Sequence, residues 1–305
     1  MPAAISTLES AARGSEARAL APGFAVLTGI TVCLIVLGAL VRAHEAGLAC
    51  PDWPLCFGEF VPAFDLRVAF EYSHRVLAGS VSLAFAALSF LAWRRGANAD
   101  VRRCLVVGAG LLALQILLGA LTVWHLLASW TVTAHLVTGN AFALTLLLTA
   151  CALRDEGVVR APATPAARRW LPVVAGVLLL QLVLGGLVSS RYAGLSCPEW
   201  PTCNGGLWFP SWRGPVGLHL LHRSNGYLLL ALLCAAAWSL RADPRVGRAV
   251  RWAVALVLAQ VAVGVANVRL GIPVEITALH SLLAALLVLT TGWSVRAAWV
   301  GANRR

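Results

Sequence analysis

Lysine is absent from this 305-residue chain, and charge of either sign is scarce: 12% of the residues are charged, against 59% that are hydrophobic. Soluble domains carry about a quarter charged residues, so this composition excludes an ordinary water-soluble fold and favours a bilayer-embedded one. Nothing in the sequence accounts for the missing lysine itself. A cleavable signal pattern is also missing from the polar, Ala-rich stretch up to about Pro22, which is expected to be partly disordered. The Cys-x2-4-Cys spacing usual in zinc sites does not occur either. A net charge of +11 would suit a nucleic-acid partner, but its distribution argues for orientation in a membrane, and no nucleic acid is implied.

What the chain does have is eight apolar runs, roughly 24–41, 72–93, 105–124, 131–152, 171–190, 216–239, 252–270 and 274–295. Each is near the 20 or so residues that cross about 30 Å of hydrocarbon. A backbone in lipid must satisfy its own hydrogen bonds, so the runs are expected to be helices of an all-α integral membrane protein. Arginines gather on one side of the spans. Arg94, Arg95, Arg102 and Arg103 follow the second span; Arg154, Arg160, Arg168 and Arg169 follow the fourth; Arg241, Arg245, Arg248 and Arg251 follow the sixth. With Arg13, Arg18, Arg296, Arg304 and Arg305 near the ends, they place both termini in the cytoplasm.

The chain is also duplicated. Gly38-Ala39-Leu40-Val41 leads to Ala46-Gly47-Leu48-Ala49-Cys50-Pro51-Asp52-Trp53-Pro54-Leu55-Cys56. Some 147 residues later Gly186-Leu187-Val188 leads to Ala193-Gly194-Leu195-Ser196-Cys197-Pro198-Glu199-Trp200-Pro201-Thr202-Cys203. A His-Arg pair follows each, His74-Arg75 and His222-Arg223, and a further histidine follows that, His135 and His280. Repetition at this period implies two copies of one unit. Four spans per copy keep both in the same orientation, so two tandem four-helix bundles related by a pseudo-two-fold axis along the membrane normal are expected. The expected divisions are a cytoplasmic tail over 1–23, an N-terminal half over 24–153, a cytoplasmic linker over 154–169, a C-terminal half over 170–297 and a tail over 298–305.

Both Cys-x5-Cys segments fall in outer loops, where the environment is oxidising. Disulfides Cys50–Cys56 and Cys197–Cys203 are the natural reading, with a redox-active pair or a metal site as alternatives. Cys33, Cys104, Cys151 and Cys234 read as small packing residues.

Position sorts the seven histidines. His74, His135, His222 and His280 all lie early in even-numbered spans, hence at similar depth beneath the outer face. Ionisable groups within a membrane default to functional hypotheses. Two imidazoles from two facing helices are too few for a closed tetrahedral metal site, but they match the two axial positions of a six-coordinate haem. Arg75 and Arg223 are candidate propionate contacts or else arginines that snorkel outward. His44 and His125, like Glu45, Asp52, Glu59 and Glu199, are loop residues expected to be solvated. Glu71 precedes His74 by three residues, and so should share its helix face; His219 takes that place before His222. Glu71 is therefore the leading catalytic candidate, and the two sites are expected to be alike in ligands but unlike in neighbours, one reactive and one carrying electrons. Glu275 reads as a helix-start residue.

Together, Glu71-Tyr72-Ser73-His74-Arg75, the Cys-Pro-x-Trp-Pro-x-Cys loops, His222-Arg223 and the spacing to His135 and His280 resemble the haem A synthase family, in its cysteine-containing bacterial form. The likeness runs from about residue 24 to 297. It implies a plasma-membrane enzyme that oxidises the C8 methyl of haem O to a formyl group, giving haem A for terminal oxidases. It further implies that His74 and His135 hold substrate haem, that His222 and His280 ligate a resident haem b, that Glu71 is the essential acid, and that the loop cysteines are disulfide-bonded. Haem O synthase, an electron acceptor and further copies of the chain are the partners that follow. Two other classes remain open on the residues: a dihaem b-type membrane electron-transfer protein and a haem carrier. Ala43-His44-Glu45 and Ser189-Ser190-Arg191 depart from the family pattern and from each other.

Overall fold

The computed structural model describes residues 16–155 and 163–300. Of the expected features, Arg13, most of the N-terminal tail, the linker stretch 156–162 with Arg160, and Arg304 and Arg305 lie outside the described residues. Among the described residues, eight helices are long and apolar enough to span a membrane: α1 Ala21–Ala43, α2 Leu66–Arg94, α3 Ala99–Trp124, α4 Ser129–Arg154, α5 Pro165–Ser190, α6 Gly214–Ser239, α7 Gly247–Arg269 and α8 Val274–Trp299.

α2, α3 and α5 begin several residues earlier than hydropathy suggests, each at a polar cap. Asp65 caps α2 by accepting from the Arg67 and Val68 amides, and Asn98 caps α3 through the Val101 amide. His74 therefore lies a little over two turns into α2 rather than near its first residue. Pro165 opens α5 and Pro215 opens α6, where a missing N–H costs nothing. Glu275 sits in the first turn of α8, as its position suggested.

Within the first four helices, α1 packs on α2 and α4, and α3 packs closely on α4. Within the last four, α5 packs on α6 and α8, and α7 packs on α6 and α8. The seams joining the two sets are α1 with α8, α4 with α5, and α4 with α8. This leaves α4 as the most enclosed helix, its span 56% buried against 17% for α2 and α7, whose apolar side chains face lipid. Small residues allow the close seams: a Cβ on Gly186 would meet Thr133, and one on Gly292 would strike Leu144. Two hydroxyls on α4 are satisfied within the helix, Thr145 and Thr149 donating to the carbonyls of Ala141 and Thr145, and that of Thr133 pairs with Ser190 on α5.

Each set of four helices has its own dense core near the ends remote from the disulfide loops. Phe24, Leu27, Val81, Phe85, Val101, Phe142, Leu146 and Leu153 form one. Leu171, Val174, Leu229, Leu233, Val250 and Leu287 anchor the other. The histidines lie towards the opposite ends, where the helices are less tightly filled.

Two bonded loops with matched histidine pairs

The loops after α1 and α5 repeat in structure as in sequence. Disulfides Cys50–Cys56 and Cys197–Cys203 close both, and their sulfurs are buried. Each loop ends in a small bridge, Cys56 with Glu59 and Asn204 with Leu207. Asp52 and Glu199, expected to be merely solvated, instead hold the turns together. Asp52 accepts from the amides of Phe57 and Gly58 (2.7 Å each). Glu199 accepts from Gly205, Gly206 and the Thr202 hydroxyl. The Gly58 amide, with the Phe57 amide and the Arg75 charge in support, holds the Asp52 carboxyl below its ordinary range. The Gly206 amide, then the Thr202 hydroxyl, does the same for Glu199. His44 is likewise not free in water, since it stacks on Phe70 with centroids 4.3 Å apart; His125 is exposed.

The arginines beside the presumed ligands reach up into these loops. Arg75 donates to the carbonyls of Asp52, Leu55 and Cys50, and to Glu71. Arg223 donates to Thr202, Cys197 and Glu199 carbonyls. Three carbonyls per guanidinium tie each loop to the helix that follows it. The sequence suggested propionate contact or snorkelling. The terminal nitrogens of both arginines hold the loops, a role that needed the folded loop to be seen.

Glu71 is buried (5% exposed). Its carboxylate accepts from the Cys50 amide (2.8 Å) and from Arg75, so it sits between the loop, the arginine and the helix turn that carries His74. His219 at the matched place is also buried, and its Nδ1 lies 2.9 Å from the Ala193 carbonyl. A charged clasp in the first half is thus replaced by a neutral one in the second.

The four histidines project from α2, α4, α6 and α8. His74 and His135 lie close enough to interact electrostatically, as do His222 and His280. Yet α2 shares no packed seam with α4, nor α6 with α8. The two helices of each pair thus stand diagonally within their set of four. The rings are half-buried. Nδ1 of His74, His135 and His280 is sealed from solvent without a side-chain partner. Among the described residues no cluster of three or more His, Cys, Asp or Glu could hold a bare metal ion.

Glycine makes the seating of these rings clear, and the sequence reading overlooked it. A Cβ on Gly38 would lie 3.1 Å from Cε1 of His74; on Gly119, 3.5 Å from His135; on Gly185, 3.2 Å from His222; on Gly264, 3.1 Å from His280. Each odd-numbered helix thus offers a bare backbone patch to the imidazole of an even-numbered one. The signal that could have revealed it is the Gln-x3-Gly recurring at Gln115–Gly119, Gln181–Gly185 and Gln260–Gly264, with Leu34–Gly38 as the variant.

The donor chemistry fits two haem groups: each site offers two imidazoles from two helices, each with a ring edge pressed on glycine.

Comparison with known proteins gives the family. The model of the COX15-CtaA family, described as cytochrome oxidase assembly protein, matches residues 24–69 and 63–291. A heme A synthase of Halalkalibacterium halodurans is 32% identical over 280 residues, covering 88% of this chain and 93% of that one. That of Shewanella oneidensis is 29% identical, covering 85% and 91%. That of Symbiobacterium thermophilum is 32% identical, covering 78% and 81%. With a family match over most of its length and such relatives at this coverage, the chain belongs to the COX15-CtaA family of cytochrome oxidase assembly proteins.

Proposed function

We propose that this protein is a haem A synthase, a membrane oxidoreductase that converts the C8 methyl of haem O to a formyl group through a hydroxymethyl stage. The observation that carries the reading is the pair of glycine-seated imidazole clamps, one in each repeat, with a carboxylate beside only one of them. The kinship to proteins named for haem A synthesis supplies the substrate. No observation favours a dihaem electron-transfer protein or a haem carrier.

In this reading residues 24–153 form the substrate half, and 170–297 form the electron-carrying half, joined by a cytoplasmic linker over 154–169 and related by a pseudo-two-fold axis. His74 and His135 hold haem O; His222 and His280 hold haem b. When bound, haem b supplies one-electron redox chemistry that carries electrons from the substrate side to an external acceptor. Glu71 is the catalytic residue. Its carboxylate, fixed by the Cys50 amide and Arg75, presents oriented negative charge close to the ligand helix. Such charge stabilises cationic character developing at the methyl carbon, and it can take up a proton as the carbon is oxidised. Arg75 and Arg223 brace the disulfide loops that roof the sites, and the nitrogens not spent there are what they could offer a propionate. Both termini lie in the cytoplasm of a bacterial cell, and the haem sites face the outer side of the plasma membrane. Haem O synthase would deliver the substrate, and copies of the chain would associate.

Glu71→Ala tests this. Expressed with a haem O supply, it is expected to accumulate haem O or its hydroxymethyl form in place of haem A, as measured by chromatography of extracted haems. Unchanged haem A output would remove Glu71 from the chemistry, and extraction of haem b alone from the unmodified protein would overturn the synthase reading.

A further inference from the structure

On the side of the disulfide loops, one arginine ties the two sets of helices together. Arg42, in the last turn of α1, donates to the Tyr192 hydroxyl (2.8 Å) and to the carbonyl of Ser189 (3.0 Å) in the last turn of α5. Its guanidinium also lies over the Tyr192 ring, 4.1 Å from the centroid. Next to Ser189, the Ser190 hydroxyl pairs with Thr133 on α4 (3.4 Å), two residues before His135. The glycine seats fix the depth of this contact. Gly38, one turn before Arg42, is the residue set against the His74 ring; Gly185, one turn before Ser189, is set against His222. Four helical residues rise about 6 Å, so the guanidinium stands about one turn beyond the ligand rings, towards the loops. Two of its five N–H groups are used, both on neutral oxygens, and among the described residues no carboxylate pairs with it.

Haem O is an apolar porphyrin that carries two propionate carboxylates on one rim. Ionised groups beneath a membrane surface need water or a cation. With the histidines towards the loop ends of their helices, the rim that bears the carboxylates faces the loops. The other arginines at the outer end of the first half are engaged or remote. Arg75 holds the first loop with both terminal nitrogens, and Arg67 is exposed two turns before His74. Resting on the placement of haem O in the first half, we propose that Arg42 binds a propionate of the substrate haem, with Tyr192 and Ser189 of the second half as its positioning residues. The stacked ring and the two bonds hold the planar guanidinium in one orientation before the haem arrives, so little freedom is lost on binding. The second repeat thereby completes the substrate site of the first.

Full-length protein purified from cells that make no haem O tests this, by spectroscopic titration with haem O and with its dimethyl ester, whose propionates carry no charge. Arg42→Gln is expected to bind haem O about ten- to hundred-fold more weakly than wild type, the loss of one charge-assisted hydrogen bond, while keeping its haem b. The ester should bind wild type about as weakly as the acid binds Arg42→Gln, and Arg42→Gln should lose nothing further against the ester. Tyr192→Phe, which keeps the stacked ring, should show a smaller loss, again confined to the acid. Wild-type affinity for haem O in Arg42→Gln, or an equal loss against acid and ester, would overturn the proposal. Should Arg42→Gln fail to fold, an equal loss against both in Tyr192→Phe would do the same. Loss of haem b in place of haem O would overturn the assignment of Arg42 to the substrate. Wild-type protein that takes up no haem O would instead overturn the substrate placement beneath it.

Discussion

Replacing the seating glycines by alanine separates fold stability from haem retention. In a helix interior alanine is favoured over glycine by about 1 kcal/mol, so the substitution by itself strengthens α1, α3, α5 or α7. Against this, the new methyl at Gly38, Gly185 or Gly264 would lie 3.1–3.2 Å from a ligand ring, and that ring must yield by a few tenths of an ångström. At Gly119 the distance is 3.5 Å, an ordinary contact. Overpacking of this kind costs about 1–3 kcal/mol, felt by the haem because the displaced ring is its ligand. At about 1.4 kcal/mol per factor of ten, Gly185→Ala and Gly264→Ala are expected to weaken haem b binding by about 5- to 150-fold. Their apoprotein melting temperature in detergent should hold or rise. Within the first site, Gly38→Ala should impair substrate haem binding while Gly119→Ala stays near normal. The assay is haem-to-protein ratio after purification, paired with a thermal melt of the apoprotein. Full haem b retention in both Gly185→Ala and Gly264→Ala would refute the seating argument.

Removing either disulfide by Cys→Ser should cost about 2 kcal/mol through the freed short loop, read as a lower melting temperature that added reductant lowers further, whereas removing both should abolish the response to reductant. The loop carboxylates carry a pH dependence. Asp52 and Glu199 are held below their ordinary values by loop amides, so their contribution is complete above the unfolded value and is lost as pH falls through the lowered folded one. Loop protection in hydrogen exchange should therefore drop below about pH 4, and the Asp52→Asn variant should show no such step in the first loop. On the arginine-rich side, Asp243 accepts from the Thr164 amide and hydroxyl and from the amides of Arg245 and Val246. Asp243→Ala leaves these donors unpaired and should cost about 1–3 kcal/mol in thermal stability with haem spectra unchanged.

Eight membrane helices were legible because hydrocarbon imposes one length and one composition on any spanning helix, and the cysteine loops because their pairing is local. The four candidate ligand histidines stood out because duplication displayed them twice. Residues whose role depends on a distant partner were not. Nothing near Arg75 in the chain says that its guanidinium reaches back some twenty residues to three carbonyls, and Asp52 reads as a surface acid until its loop closes on it.

The sequence by itself determined the solvent, the number of spans and the repeat, since each follows from composition or from spacing along one chain. Only the tertiary structure decided that α2 and α4, like α6 and α8, stand apart, that glycines on neighbouring helices seat the rings, and that Glu71 is clasped by its own loop. Those facts depend on which helix faces meet, and helix packing in a bilayer is set by small residues and polar contacts whose partners lie on other helices.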